Sequence, residues 1–596
     1  MTEAKFSDLF ADILVELGYT HCFLVAGGNI MHLIESLSAR LTMVPVINEV
    51  ATVIAAEYFN EVNRVTGNKA LALVTAGPGL TNAMTGIAGA FSESREVLIV
   101  GGQVKRSDLS RGSLRQKGIQ EIDGLAIASP ICIRSIRLEE PTSRKFLTDF
   151  IFQPECSRKG PVFIEFCLDA QNTSTRPGDP CAINQPVVQP NKMNVDGLVE
   201  LLESSKRPVL LLGSGVRLDS VPVLVENAAD LGIPILSTWN GADRVRHDHP
   251  IYFGRPNNWG QRHSNLILQQ CDLLIAAGTR LGFQQTGFNY QEFCPLAKIV
   301  HIDLDIAEIE KGHPRVDFPI VADAALTLQA AFSATNRTSQ QSSEWLQFCS
   351  FVKEQVPVPD PANIADSRFV EVFGFIHKLS DYFGQHDVVI PCSSGGGSTV
   401  TMQVIRQKGL PQRIVTNKGM ASMGYGLPGA IGACFARPDS KTWLVDGDGG
   451  IIQNLQEFGV VARFGLPLKT FIISNNGYAS IRSTQRNYFG GHYVGCDPAT
   501  GLHLPDWKML SATYGIRFMR IDPENPFSVE LKAELQTAEP GIFEIPVDPE
   551  QTFYPKIQSR ISIERGMISN PLHEMYPPLN TDLDRKVKRY LNERDQ

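Results

Sequence analysis

With 596 residues, 43 % of them hydrophobic and 20 % charged, the chain has the composition of a globular protein too long for one core, and three to four domains are expected. A net charge of −8 argues against a nucleic-acid partner, and no apolar run reaches the ~20 residues that span a bilayer. Met1-Thr2-Glu3-Ala4-Lys5 opens no basic leader or apolar signal core, and the 11 cysteines show no CxxC pair or zinc spacing, so a cytoplasmic protein with reduced thiols is expected.

The first module runs from about Phe6 to Phe166. Phe23-Leu24-Val25 predicts a strand entering the turn Ala26-Gly27-Gly28-Asn29. Met43 to Glu49 reads as a short strand ending in a carboxylate, and Ala51, Ala55 and Ala56 after it suit a closely packed helix. By itself such a glutamate is a solvated cap. Leu71 to Thr75 is another strand, followed by a sharp turn through Gly77-Pro78-Gly79 and a helix start at Asn82. Val97 to Val100 is the next strand, and Gly118-Ile119-Gln120-Glu121 reads as a polar loop. A Pro- and Asn-rich connector, roughly Asn172 to Lys192, carries Pro177, Pro180, Pro186 and Pro190.

The second module opens with Arg207 to Leu212, a strand running into Gly213-Ser214-Gly215-Val216-Arg217. Later strands are Asp272 to Ala277, before Gly278-Thr279-Arg280, and Lys298 to Asp303; the module ends near Phe332. Gly213-x-Gly215 lacks the third glycine of the dinucleotide fingerprint, which removes a nicotinamide-dehydrogenase reading. Residues 333–365, rich in Ser, Gln and Pro, form a second connector. The third module, from near Phe369 to near Val547, begins with Val388 to Pro391 and a glycine turn through Gly395 and Gly396 suited to a diphosphate. Met423 lies among glycines in Gly419 to Pro428; the commoner use of methionine is core filling.

Trp443-Leu444-Val445 stops in Asp446-Gly447-Asp448-Gly449-Gly450, as a buried parallel strand does at the C-terminal edge of its sheet. Leu468 to Asn475 is a second such strand, and the segment between, Asn454 to Phe464, has helical apolar spacing. A right-handed crossover brings both polar ends to one edge, where open parallel sheets bind ligands. Asp448 offers a carboxylate oxygen, Asn475, 27 residues on, an amide oxygen, and Gly477 a carbonyl. Three oxygens beside open positions suit Mg²⁺ shared with a ligand's phosphates, and Gly449 and Gly450 let backbone N–H groups face a diphosphate. Ser474 and Asn476 leave the register ambiguous on chemistry alone.

Gly447-Asp448-Gly449 followed by Asn475 resembles the diphosphate–Mg²⁺ motif of thiamine-diphosphate enzymes, and the motif's spacing selects Asn475. The resemblance covers nearly the whole chain and is nearest to acetolactate-synthase-like carboligases. It implies three doubly wound α/β parallel-sheet domains: pyrimidine-binding (1–171), central (193–334) and diphosphate-binding (366–549), with a tail over 550–596. It implies that Glu49 is the catalytic carboxylate on the aminopyrimidine ring nitrogen, a role best served by a partly desolvated group. Gln120 would lie near the reacting centre, a plain polar loop being the alternative, and Met423 under the thiazolium ring. Gly27, Asn82, Gly395, Gly396, Gly447, Gly449, Gly450 and Tyr478 would line the cofactor pocket, with Asp448, Asn475 and Gly477 on the metal. Gly213, Gly215, Arg217, Gly278, Arg280, Asp303 and Asp323 would surround FAD, although related enzymes keep this domain with no flavin. The family splits its cofactor between subunits, so a homodimer or homotetramer is expected.

The chain departs from the pattern on the acceptor side. Where acetolactate synthases follow the arginine matching Arg280 with a second one for the acceptor's carboxylate, this chain has Gln284, which cannot form a bidentate charged pair. The lysine expected after the first module is lost in Cys167-Leu168-Asp169, and the tryptophan favouring a larger ketoacid acceptor is Thr484. The His pair of simple ketoacid decarboxylases is missing from Leu114-Arg115-Gln116-Lys117-Gly118. The expectation is a carboligase that decarboxylates a 2-ketoacid, most simply pyruvate, and transfers the acyl-anion equivalent to a carbonyl acceptor. A keto-sugar nucleotide acceptor and a simple decarboxylase are the alternatives. A non-enzymatic paralogue is disfavoured by the joint presence of Glu49, Asp448 and Asn475. The basic run Arg585 to Tyr590 is expected to be a solvated face rather than a lid.

Overall fold

The computed structural model describes residues 4–155, 157–175, 195–562 and 566–594; Pro177 to Pro190 of the first connector lie outside the described residues. Three parallel sheets carry the fold. The first consists of β1 (Tyr19–Leu24), β2 (Thr42–Pro45), β3 (Lys69–Val74), β4 (Val97–Gln103), β5 (Arg134–Leu138) and β6 (Pro161–Cys167), in the order β2-β1-β3-β4-β6-β5. The second consists of β7 (Pro208–Leu212), β8 (Ile235–Ser237), β9 (Leu273–Ala277), β10 (Lys298–Asp303) and β11 (Phe318–Val321), in the order β8-β7-β9-β10-β11. The third, β12 (Val388–Pro391), β13 (Arg413–Ile414), β14 (Thr442–Gly447), β15 (Leu468–Ser474), β16 (Arg517–Arg520) and β17 (Gly541–Pro546), has the order β13-β12-β14-β15-β17-β16. The first and third sheets thus share one strand order, although their sequences show no repeat. The central strands read as continuous apolar runs because helices cover both faces; every residue of β7 and β9 is buried.

The first and third modules are joined by helices that touch at backbone distance. The structure places α1 at Glu49–Val62, α2 at Pro78–Ser92, α3 at Gly395–Val404 and α4 at Gly426–Ala436. A methyl group on Gly432 of α4 would lie 2.1 Å from the Ala55 carbonyl oxygen of α1, and one on Gly429 would strike the Tyr58 ring. The small residues after Glu49 are therefore the seat of α4, and one core contains Ala55, Tyr58, Ala430, Ile431 and Leu444.

Buried charges reinforce the joint. Arg95 donates to Glu57 at 2.7 Å and to the Thr416 carbonyl at 2.6 Å, while Asn417 and Tyr425 also donate to Glu57. Arg413 donates to Glu61 Oε1 at 3.0 Å and to Asp243 of the central module at 2.7 Å, so one guanidinium links all three modules.

Three local expectations change. Strand β2 ends at Pro45, and Glu49 is the first residue of α1, whose N-cap Asn48 accepts from the Val50 amide at 3.1 Å. The helix expected over Asn454–Phe464 is broken into a 3₁₀ segment, Ile452–Glu457, and a helix, Phe458–Phe464. The break is at Asn454, which leaves helical φ and donates to the Gly424 carbonyl at 2.7 Å. Near the chain end, Arg585 and Lys586 are exposed, as a solvated face requires, but Val587 is buried and the Tyr590 ring lies 5.1 Å from Phe348. This part of the tail is docked on the helix Ser343–Gln355, which lies within the expected connector 333–365 but packs Trp345, Phe348 and Val352 into the core of the central module. No helix among the described residues is long and apolar enough to cross a membrane, and the nine described cysteines are all free.

Candidate active site

The register of β14 against β15 pairs Asp446 with Ile472 and Gly447 with Ile473, so Asp448 emerges beside the loop that follows Ser474. Asp448 is fully buried: Oδ1 accepts from the Gly449 amide at 2.7 Å and Oδ2 from the Gly477 amide at 3.1 Å. Burial pushes its carboxyl up to about 6 even against these hydrogen bonds. Asn475 is buried beside it, and Gly477 holds φ +111°, a left-handed conformation in which a Cβ would also meet the Cys496 carbonyl at 2.5 Å. Arg482 secures this loop by donating to the Asn475 and Asn476 carbonyls at 2.8 and 3.1 Å. Tyr478 packs on Gly449, Gly450 lies against Asp446, and Gly447 borders open space. Gly395 and Gly396 open the ten-residue helix α3, with Gly395 facing open space. Met423 is partly exposed, and its segment is tied to the turn after β12 by a hydrogen bond from Ser393 to the Ser422 carbonyl.

In the first module Asn82, on α2, donates to Glu49 Oε2 at 2.9 Å. Gly27, at the end of β1, abuts Thr75 after β3. Gln120 is exposed at φ +63°, at the tip of a loop built on Glu121. Glu121 accepts from the backbone amides of Ser110, Lys117 and Gly118 at 2.6, 2.8 and 3.1 Å. Burial alone would raise the Glu121 carboxyl, but these donors bring it down to about 2. Glu49 and Asp448 thus stand at the C-terminal ends of strands in two similar sheets, each beside an amide or a hydrogen-bonding backbone that fixes its direction.

Comparison with known proteins decides the family. "Thiamine pyrophosphate enzyme, N-terminal TPP binding domain" matches residues 4–127, "Thiamine pyrophosphate enzyme, central domain" 195–331, and "Thiamine pyrophosphate enzyme, C-terminal TPP binding domain" 394–545, together more than half of the chain. The chain belongs to the thiamine pyrophosphate enzymes. Within them it is acetolactate-synthase-like. It is 29 % identical to the acetolactate synthase isozyme 2 large subunit of Escherichia coli (strain K12) over 505 residues, covering 83 % of this chain and 87 % of that one. It is 28 % identical to a probable acetolactate synthase large subunit of Methanococcus aeolicus over 506 residues, 82 % and 83 % of the two chains.

For a thiamine pyrophosphate enzyme the donor set fits its cofactor. Asp448 is a desolvated carboxylate whose protein partners are backbone amides, the environment a divalent cation would relieve. No group of three or more His, Cys, Asp or Glu side chains able to hold a metal ion exists among the described residues, so a metal would draw on amide, carbonyl and phosphate oxygens in addition.

The central module adds a cleft of about 420 Å³. Gly215, Arg217, Gly278, Arg280, Asp303 and Asp323 line it, as do Gln284 and, from the third module, Lys418. Gly213 is not on its wall. Its role is packing: a Cβ there would lie 2.0 Å from the Gly278 carbonyl, so the two glycine turns interlock. Asp323 caps the helix Ala324–Ala334 by accepting from the Leu326 amide, and burial raises the Asp303 carboxyl. Thr484 lies away from the cleft, exposed on the helix Ala479–Tyr488, where its hydroxyl donates to the Ser480 carbonyl of the same helix. The two acceptor-side candidates therefore belong to different surfaces.

Sequence reasoning missed several residues. Asp446, buried with Oδ2 unpaired and its carboxyl pushed up by burial to about 7, lies directly beneath the glycine turn. A carboxylate directly at the end of an apolar run is a legible signal for it. Glu457 and Lys418 carried none, because their partners lie on other modules, and Glu121 carried none, because its donors are backbone amides of its own loop.

Proposed function

We propose that this enzyme decarboxylates pyruvate and transfers the two-carbon unit to a carbonyl acceptor other than a second pyruvate. The observation that carries the reading is the pair of oriented carboxylates, Glu49 held by Asn82 and Asp448 buried against the Asn475–Gly477 loop. Asp448, the Asn475 amide oxygen and the Gly477 carbonyl would hold Mg²⁺, and Gly395 and Gly396 would offer amides at the start of α3 to the diphosphate. Bound thiamine diphosphate would supply a cationic thiazolium ring able to take up the electron pair left as CO₂ departs. Glu49 has Oε2 engaged by Asn82, which leaves Oε1 to hold the proton at the aminopyrimidine ring nitrogen.

Gln284 offers an acceptor a neutral amide, so a carboxylate gains no charged partner there. The central cleft, with Arg217 and Arg280 for a diphosphate and Asp303 for a ribose hydroxyl, suits FAD. A homodimer sharing the cofactor between Glu49 of one subunit and Asp448 of the other would cover side chains that are exposed in the single chain, among them Ile119, Met423 and Phe489.

The test is the ratio of acetolactate to CO₂ with pyruvate as sole substrate, then with a panel of aldehydes, ketones and keto-sugar nucleotides analysed by mass spectrometry. The expected ratio with pyruvate alone is well below one, rising in Gln284→Arg by about ten- to a hundred-fold in acceptor preference. A wild-type ratio near one would make this enzyme an ordinary acetolactate synthase.

A further inference from the structure

The turn between β2 and α1 aims Glu49, and its backbone is held from the other end of the sequence. Val46 still bonds the sheet through its amide to the Leu24 carbonyl, but the next two amides lie beyond the ladder and before the helix. Both point at one side chain of the third module. Glu457 Oε1 accepts from the Ile47 amide at 3.2 Å and the Asn48 amide at 3.0 Å, and Oε2 accepts from Ile47 at 3.2 Å. Glu457 has no exposed surface, and burial raises its carboxyl above the usual range.

We propose that Glu457 is a positioning residue for Glu49: its carboxylate fixes the two peptide units that precede the catalytic carboxylate. Three features carry this. A carboxylate accepts from an amide about twice as strongly as a neutral group does, and here one carboxylate serves two adjacent amides. Asn48, the second of them, is the N-cap of α1, so its peptide plane sets the direction in which the helix and its first residue, Glu49, begin. Glu457 is also the last residue of the 3₁₀ segment that continues from Asp448–Ile451. The backbone leaving the metal-binding aspartate of a subunit therefore grips the backbone entering that subunit's own catalytic glutamate. Asn82 orients the Glu49 side chain, and Glu457 orients the main chain from which it springs.

The inference rests on the proposed role of Glu49, and the experiment separates the two. Glu457→Gln keeps the shape but turns an N–H toward one of the amides. In the protein without cofactor, hydrogen exchange at Ile47 and Asn48 should accelerate about tenfold or more, matching the loss of roughly one hydrogen bond's stabilisation, with α4 amides unchanged. In the loaded enzyme, exchange of the thiazolium C2 proton per bound cofactor should fall by about ten- to a hundred-fold, part of the 10²–10⁴ typical of a general acid–base group, with cofactor affinity within a few-fold. Adding Glu457→Gln to Glu49→Gln should cost nothing further in C2 exchange, since one residue acts through the other. Unchanged amide exchange, or faster amide exchange with normal C2 exchange, would overturn the proposal. So would additive losses in the double variant. Normal C2 exchange in Glu49→Gln itself would instead overturn the role assigned to Glu49. Should Glu457→Gln fail to fold, Glu457→Asp, which retracts the carboxylate by one methylene, carries the same three measurements.

Discussion

Asp448 and Glu121 show how burial and hydrogen bonding set two carboxylates in opposite directions. Asp448 is pushed up to about 6 because the backbone donors around it do not offset its loss of water. Asp448→Ala should therefore abolish thiamine-diphosphate binding at millimolar Mg²⁺, measured by titration calorimetry on the folded variant. Undiminished affinity would place the metal elsewhere. Glu121, with three backbone donors from its own loop, is brought down to about 2. A carboxylate so depressed contributes stability in full above its unfolded value and loses it as pH falls through its folded one. The loop carrying Gln120 should accordingly keep the same order from pH 8 to pH 5, as read by hydrogen exchange corrected for intrinsic rate. Glu121→Gln should loosen it across that whole range.

At the scale of elements, the critical contact is α1 against α4. Both helices are rich in small residues where they cross, and the Ala55 carbonyl has room only for a hydrogen on Gly432. Gly432→Ala raises local helix propensity by up to ~1 kcal/mol, but it inserts a methyl 2.1 Å from that oxygen. Overpacking of this kind costs about 1–3 kcal/mol, so the net change should be destabilising and visible as a lowered thermal midpoint. Because α1 begins with Glu49, displacing it should also weaken activity more than stability alone predicts. An unchanged midpoint would mean that the helices separate freely.

At the scale of the molecule, buried charges join the modules. Arg413 faces Glu61 and Asp243 with scarcely any exposure, and the Glu61 carboxyl, which burial alone would raise, is held at about 2 by Arg64, Arg95, Arg413 and Arg244. Removing Arg413 leaves Glu61 and Asp243 buried with one cation fewer each, the remaining charge carried by Arg64, Arg95 and Arg244, a loss of up to about 3–5 kcal/mol. Arg413→Ala should therefore unfold at markedly lower denaturant and separate one transition into two, followed by tryptophan fluorescence. A single transition at the wild-type midpoint would show that apolar packing alone joins the modules.

The sequence by itself determined what is local. Apolar runs ending in Asp-Gly and in Ser-Asn mark β14 and β15, and the 27-residue interval between Asp448 and Asn475 matches the spacing from which the metal site is proposed. Three parallel α/β modules followed from the repeated strand-and-turn pattern, because a strand buried on both faces has few other compositions available. Only the tertiary structure decided how these pieces meet. It showed that Ala55 serves Gly432, that Gly213 serves Gly278, that the first and third sheets share a strand order, and that Glu457 holds the peptides before Glu49 from 410 residues away in sequence. Close packing and hydrogen bonding act over a few ångströms in space, whatever the separation along the chain. A glycine or a buried glutamate reveals a requirement for space or a donor, and folding supplies the neighbour that meets it.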